Sequence, residues 1–181
     1  MYVKQIFRSV PRSIFFSTAP RSSSLRVHTR FYASAMSPIP IVVCGKNPNI
    51  AKAVRESVKP EYDVIHIILS VEEATSSIPL LISSKTPPNS SSNIGSQNYG
   101  TRPAVVALGG GFNNEMFEEI KKSCGNEKMV WVRTDITRTG EMPDFNDHEA
   151  YGKATGARLK KCLDELKIGR EGGKTEGIWF F

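Results

Sequence analysis

The chain has 181 residues with 24 Lys and Arg against 18 Asp and Glu, and a formal charge of +6 invites comparison with proteins that bind nucleic acid or anionic membranes. Position removes that class: Lys4, Arg8, Arg12, Arg21, Arg26 and Arg30 precede Ser37, no acid does, and the remainder is formally neutral, so no nucleic-acid partner is expected. Cys44, Cys124 and Cys162 stand far apart with no histidine at ligand spacing, which argues against zinc and against a disulfide framework and predicts free thiols.

Residues 1–36 are acid-free and rich in Arg, Ser and Thr, the composition of a mitochondrial transit peptide. On a helix Val3, Ile6, Phe7, Val10 and Ile14 share one stripe while Lys4, Arg8 and Arg12 line the other side. Such a helix suits the groove of an import receptor, and its charge is drawn inward by the membrane potential. The longest apolar run in the segment, Ile14-Phe15-Phe16, is too short for a secretory core or a membrane span. Arg30-Phe31-Tyr32-Ala33-Ser34 resembles the mitochondrial processing site in which Arg precedes an aromatic pair. That resemblance implies engagement of the mitochondrial import machinery, cleavage near 31–33 and a matrix destination. Initiation at Met36 would yield the same domain without its address, a cytosolic form.

Residues 37–181 are enough for one core and too few for two. Pro40 to Cys44 reads as a strand that opens into Gly45-Lys46-Asn47-Pro48 and then a helix, with Asn47 as N-cap and Pro48 as its first residue. Asp63 to Leu69 is nearly all apolar, as a strand covered on both faces is, with His66 in it read as packed or edge-facing and not as a ligand; a helix from Val71 to Ile82 follows. The stretch at about 83–102 is rich in Ser, Asn, Gly and Pro, shows no periodicity that buries a face, and reads as a flexible loop. Pro103 to Leu108 is a third strand, running into Gly109-Gly110-Gly111 and a helix capped by Asn113 or Asn114. Met129 to Val132 is a fourth, ending in Arg133-Thr134-Asp135. Asn146 with Glu149 resembles a capping box before a long helix striped by Tyr151, Thr155, Leu159, Cys162, Leu163 and Leu166. Gly177 to Phe181 supplies a last short strand or an aromatic cover for an open edge. This alternation predicts a single three-layer α/β domain with a mostly parallel sheet of four to five strands, Rossmann-like or flavodoxin-like, with default strand order 2-1-3-4.

In such sheets ligands bind beyond the carboxyl ends of the strands, where neighbouring connections leave on opposite faces. With that order two glycine turns meet there, Gly45, Lys46, Asn47 and Asn49 from one and Gly109, Gly110, Gly111 and Asn113 from the other. Their helix N-termini favour a small anionic ligand. Lys46 adds a charge, and Arg133 and Asp135 border the crevice.

The specific motifs are absent: Gly45 to Ile50 lacks the second and third glycines of G-x-G-x-x-G, and neither G-x-x-x-x-G-K-[ST] nor G-x-S-x-G occurs. Tyr151 is read as core and Cys44 as a buried structural thiol. No catalytic residue is assigned. The expected function is a soluble matrix module binding a nucleotide or anionic metabolite. An NAD(P)-dependent oxidoreductase or transferase, and an accessory subunit docking on a protein partner, stand as alternatives.

Overall fold

The computed structural model describes residues 37–88 and 90–181. The segment read as a transit peptide, with its expected processing site, lies outside the described residues. The elements follow the expected alternation: β1 Ile39–Cys44, α1 Pro48–Ser57, β2 Tyr62–Ile68, α2 Val71–Ile82, β3 Val105–Leu108, α3 Asn114–Ser123, β4 Val130–Arg133, α4 His148–Glu165 and β5 Gly177–Phe180. Short 3-10 turns stand at Ser90–Ser92 and Ile136–Glu141. The five strands form one sheet, all parallel, in the order β2-β1-β3-β4-β5. This is the flavodoxin-like order.

Strand alternation divides the core in two. Ile41, Val43, Val105 and Ala107 turn to the face covered by α1 and α4, where they meet Ala51, Val54, Leu159 and Leu163. Val42, Cys44, Val106 and Leu108 turn to the face covered by α2 and α3, against Ile78, Leu81, Phe117 and Ile120. Each such aliphatic side chain contributes about 1.5–3 kcal/mol by leaving water. On the first face α4 approaches α1 closely because it carries Gly152 and Gly156. A Cβ at Gly152 would lie 2.5 Å from Ala53 Cβ, and one at Gly156 would lie 2.6 Å from Ser57 Cβ.

Two details depart from the sequence reading. The cap of α4 is Asp147, whose Oδ1 accepts from Ala150 N at 3.0 Å, and not Asn146. Asn146 is drawn into a turn on Asp144, to which its backbone and side-chain nitrogens both donate, and Glu149 pairs with Lys153 at 2.6 Å instead of reaching back to the cap. The stretch 83–102 also does more than connect: it runs along the outer edge of β2. Ser96 N donates to Val64 O at 2.9 Å and Gln97 N to Ile65 O at 3.0 Å. Asn93 acts as a strand residue in side-chain form, its Oδ1 accepting from Ile67 N at 2.9 Å and its Nδ2 donating to Ile67 O at 2.7 Å. The carbonyls of Val64 and Ile65 both serve because β2 bulges there, Ile41 pairing with Val64 and Val42 with His66. Among the described residues no helix is long and apolar enough to cross a membrane.

Candidate functional site

The connections from β1 and β3 leave on opposite faces, to α1 and to α3, so the switch point of the sheet lies between them. A cleft of about 470 Å³ opens there. Its floor is Val43, Ala107, Ala51 and Val54 with Leu159 and Phe181, and one rim is formed by Gly45, Lys46 and Asn47 meeting Gly109, Gly110 and Gly111. Opposite them stand Thr134, Ile136 and Phe145, together with Tyr151 and Thr155 of α4. The space lies within the range of small-molecule pockets, and its walls are mostly apolar, with polar groups confined to the rim.

The polar rim is not uniformly free. Asn47 Oδ1 accepts from Asn49 N at 2.9 Å and Ile50 N at 3.3 Å, and its Nδ2 donates to His148 Nε2 at 3.1 Å, so this side chain caps α1 and ties it to the start of α4. Gly45 N donates to Ile68 O and Gly109 N to Cys44 O, each at 2.8 Å. The N–H groups of Gly110 and Gly111 have no acceptor among the described residues and are available as donors. Lys46 packs its stem beside Gly111 and holds its ammonium 5.9 Å from the Phe112 ring centroid, with no carboxylate at ion-pair distance among the described residues. Its charge is therefore uncommitted at the rim.

Asn113, Arg133 and Asp135 fall elsewhere: they border a second cleft of about 400 Å³ on the α3 side of the glycine turn, whose Gly109 and Gly110 face both clefts. There Asn113 Oδ1 caps α3 through Met116 N at 2.9 Å. The Arg133 guanidinium lies 4.5 Å from the Phe117 ring, 5.8 Å from the Phe180 ring and donates to Asn114 Oδ1 at 2.8 Å. Asp135 Oδ1 accepts from Thr137 Oγ1 at 2.6 Å and Thr137 N at 3.0 Å, and these bonds hold its carboxyl below the usual range. Asn49 is exposed and lines neither cleft.

Cys44 is fully buried, and burial pushes its thiol well up from its ordinary value, so it is no nucleophile here. Tyr151, expected in the core, is half-buried and lines the main cleft, with Phe145 edge-on to it at 5.3 Å. Sequence reasoning missed Phe145, Ile136 and Thr155 as wall residues. Their signal was an apolar stripe on α4 indistinguishable from core, and two lone hydrophobics in a turn.

A third cleft, about 500 Å³, lies beside the end of β2 and includes Glu72, Glu73, Ser76 and Asn93. Its acids and amides bond one another or the backbone: Glu73 Oε2 accepts from Leu69 N at 2.9 Å, and its Oε1 stands 3.5 Å from His66 Nε2. It lies at the end of β2, away from the switch point. Among the described residues no group of three or more His, Cys, Asp or Glu stands together as a metal site would require.

Kojic acid related protein 6 of Aspergillus oryzae (strain ATCC 42149 / RIB 40) is 30% identical over 158 residues, covering 84% of this chain and 93% of that protein. No protein-family model matches the chain, and no solved structure matches it significantly.

Proposed function

The chain belongs to the family of Kojic acid related protein 6 of Aspergillus oryzae, and for this member of it we propose a binding role: a soluble module of the mitochondrial matrix that holds a nucleotide or other anionic metabolite in the cleft between β1, β3 and α4. The observation that carries the reading is the cleft at the switch point, apolar within and rimmed by the unclaimed N–H groups of Gly110 and Gly111 and the unpaired Lys46. Such donors beside an apolar chamber suit a ligand with a ring and a charged substituent. A chamber of about 470 Å³ favours a mononucleotide or smaller metabolite over a whole dinucleotide. The matrix assignment is supported by the acid-free basic segment 1–36 and by Arg30 to Ser34.

The test is a thermal-shift screen of the full chain against nucleotides, dinucleotides, coenzyme A, acidic metabolites and kojic acid, the last because the relative's name carries it. A ligand at 100 times its Kd stabilises the fold by about 2.7 kcal/mol, a rise of several degrees in Tm. Thr155→Trp, which fills the cleft from α4, abolishes the rise while leaving the unliganded Tm within about 3 °C of wild type. A rise that survives Thr155→Trp places the ligand elsewhere and sinks the reading. Accessory docking on a protein partner is a second reading, supported by Ile178 and Phe180 exposed on β5.

A further inference from the structure

The main cleft and the second one are neighbours. Both are walled by Leu108, Gly109, Gly110, Thr134 and Ile136, so they lie on either side of one divide at the end of β3. On its glycine side that divide is bare backbone. A Cβ on Gly110 would stand 3.4 Å from Ile136 Cγ2 and 3.9 Å from Thr134 Cγ2, and with only hydrogen there no side chain rises between the clefts from this turn. Cationic groups flank the same line. Lys46 lies beside Gly111 on the main-cleft side. Arg133 lines the second cleft and leaves β4 at the residue paired with Leu108, one strand spacing of roughly 4.8 Å away.

The Arg133 side chain is part exposed and held in place without its charge being neutralised. Its guanidinium rests over the Phe117 ring and donates from Nη2 to the neutral Asn114 amide, and its other N–H groups find no acceptor among the described residues. A ring face fixes the plane of a guanidinium and leaves the donors at its edge for a planar or tetrahedral anion. Asp135 lines the same cleft, but Thr137 engages it. After those bonds the charges that hold its carboxyl down are those of Arg138 and Arg158, not that of Arg133. The positive end of α3 begins at this cleft and adds to its potential. One anionic group is enough to take the N–H groups of Gly110 and Gly111 together with Lys46, which leaves Arg133, across the divide, for another. We infer that the ligand carries two linked anionic groups and lies across Gly110, as a nucleoside diphosphate does, with its ring in the main cleft, its first phosphate at the glycine N–H groups and its terminal phosphate accepting from Arg133. The inference rests on the main cleft being the binding site, and adds the class of ligand and its second anchor. The main cleft of about 470 Å³ suits a nucleoside monophosphate, and the second, of about 400 Å³, receives the group that a monophosphate lacks.

Matched mono- and diphosphates separate the two ideas. The mono- and diphosphates of adenosine, guanosine, uridine and cytidine are titrated against the full chain by calorimetry, with EDTA present so that no metal ion bridges the phosphates. For the base that binds best, the diphosphate binds about tenfold tighter than the monophosphate, as one charge-assisted pair of hydrogen bonds provides. In Arg133→Gln that ratio falls to about two or less. Arg133→Lys, which keeps the charge without the planar fork, recovers part of it, and Lys122→Gln, which removes the same charge from the far end of α3, leaves it unchanged. Circular dichroism checks that each variant is folded, and Arg133→Lys carries the test if Arg133→Gln is not. A ratio near one in wild type, or the same ratio in wild type and Arg133→Gln, overturns the second anchor; if Thr155→Trp still abolishes monophosphate binding, the cleft stands. Nucleotides that bind Thr155→Trp as well as wild type overturn both. A flat titration with every nucleotide overturns the inference, and the thermal-shift screen then decides the cleft alone.

Discussion

The two edges of the sheet solve one problem in opposite ways. At the β2 edge the free backbone groups of a long strand are consumed by the polar stretch that follows α2: the Asn93 amide grips both the N–H and C=O of Ile67, Ser96 and Gln97 cap the bulge, and Tyr99 Oη lies 2.9 Å from His66 Nδ1. At the β5 edge the described residues supply far less, a Cys162 thiol donating to Phe180 O at 3.8 Å. The strand is only four residues long, and Ile178 and Phe180 are 40% and 60% exposed. A short strand limits the template an open edge presents, whereas a seven-residue one must be covered. Edge protection in this molecule is therefore achieved by polar side chains on one side and by brevity on the other.

That contrast is breakable at the sealed edge first. Asn93→Ala removes bonds to Ile67 N, Ile67 O and Gly95 N together and strands two backbone groups of β2, so a loss of about 2–3 kcal/mol is expected in urea unfolding. A loss under about 0.5 kcal/mol would mean that water replaces the amide and the edge is not sealed by it.

A smaller effect follows from Glu73, which joins the same edge to α2. The hydrogen bond with His66, aided by that from Leu69 N, pulls its carboxyl below the ordinary 4.5. A depressed folded value gives stability that is present above the unfolded value and lost as pH falls through the folded one. Wild type should thus exceed Glu73→Gln near neutrality and converge on it as the solution is acidified below about pH 4.5. The side chain is 35% exposed, and solvent screening holds the difference under about 1 kcal/mol. Parallel stability curves across that range would show that the carboxylate contributes nothing as a charge.

Least of all is expected from the open edge. Phe180→Ser should shift stability by less than about 0.5 kcal/mol, since the ring is mostly in water and its approach to Arg133 is loose. A larger loss, or a change in elution volume, would show that the β5 edge is covered in solution.

The elements that sequence makes legible are those with a short-range physical cause. Asn47 before Pro48 announces a helix start because the missing proline N–H and the capping amide act within three residues. The β-branched runs announce buried strands, whereas the sheet order was held only as a default, because right-handed crossovers are compatible with more than one order. Asn93 could not be foreseen, because its partner Ile67 lies 26 residues away and a single Asn in a polar stretch carries no period. The candidate site divides in the same manner. The glycine turns were readable as chain geometry and do meet at the cleft, but Arg133 and Asp135 were assigned to it only by their place at a strand end. Which way a side chain leaves a strand end depends on the neighbours it finds, here Phe117 and Asn114 for one and Thr137 for the other.

The central position of β1 also sets a timetable. It pairs with β2 almost at once, but its other neighbour is β3, which is reached only after α2 and the whole edge-sealing stretch. Closing that interval costs chain entropy before any of the Cys44 to Leu108 ladder rewards it, and nucleation across such a distance is slow. A chain whose polar stretch docks early on β2 shortens the search. The same residues that protect the finished edge thereby act as a guide for the half-made sheet, and their loss should be felt in the folding rate as well as in the equilibrium.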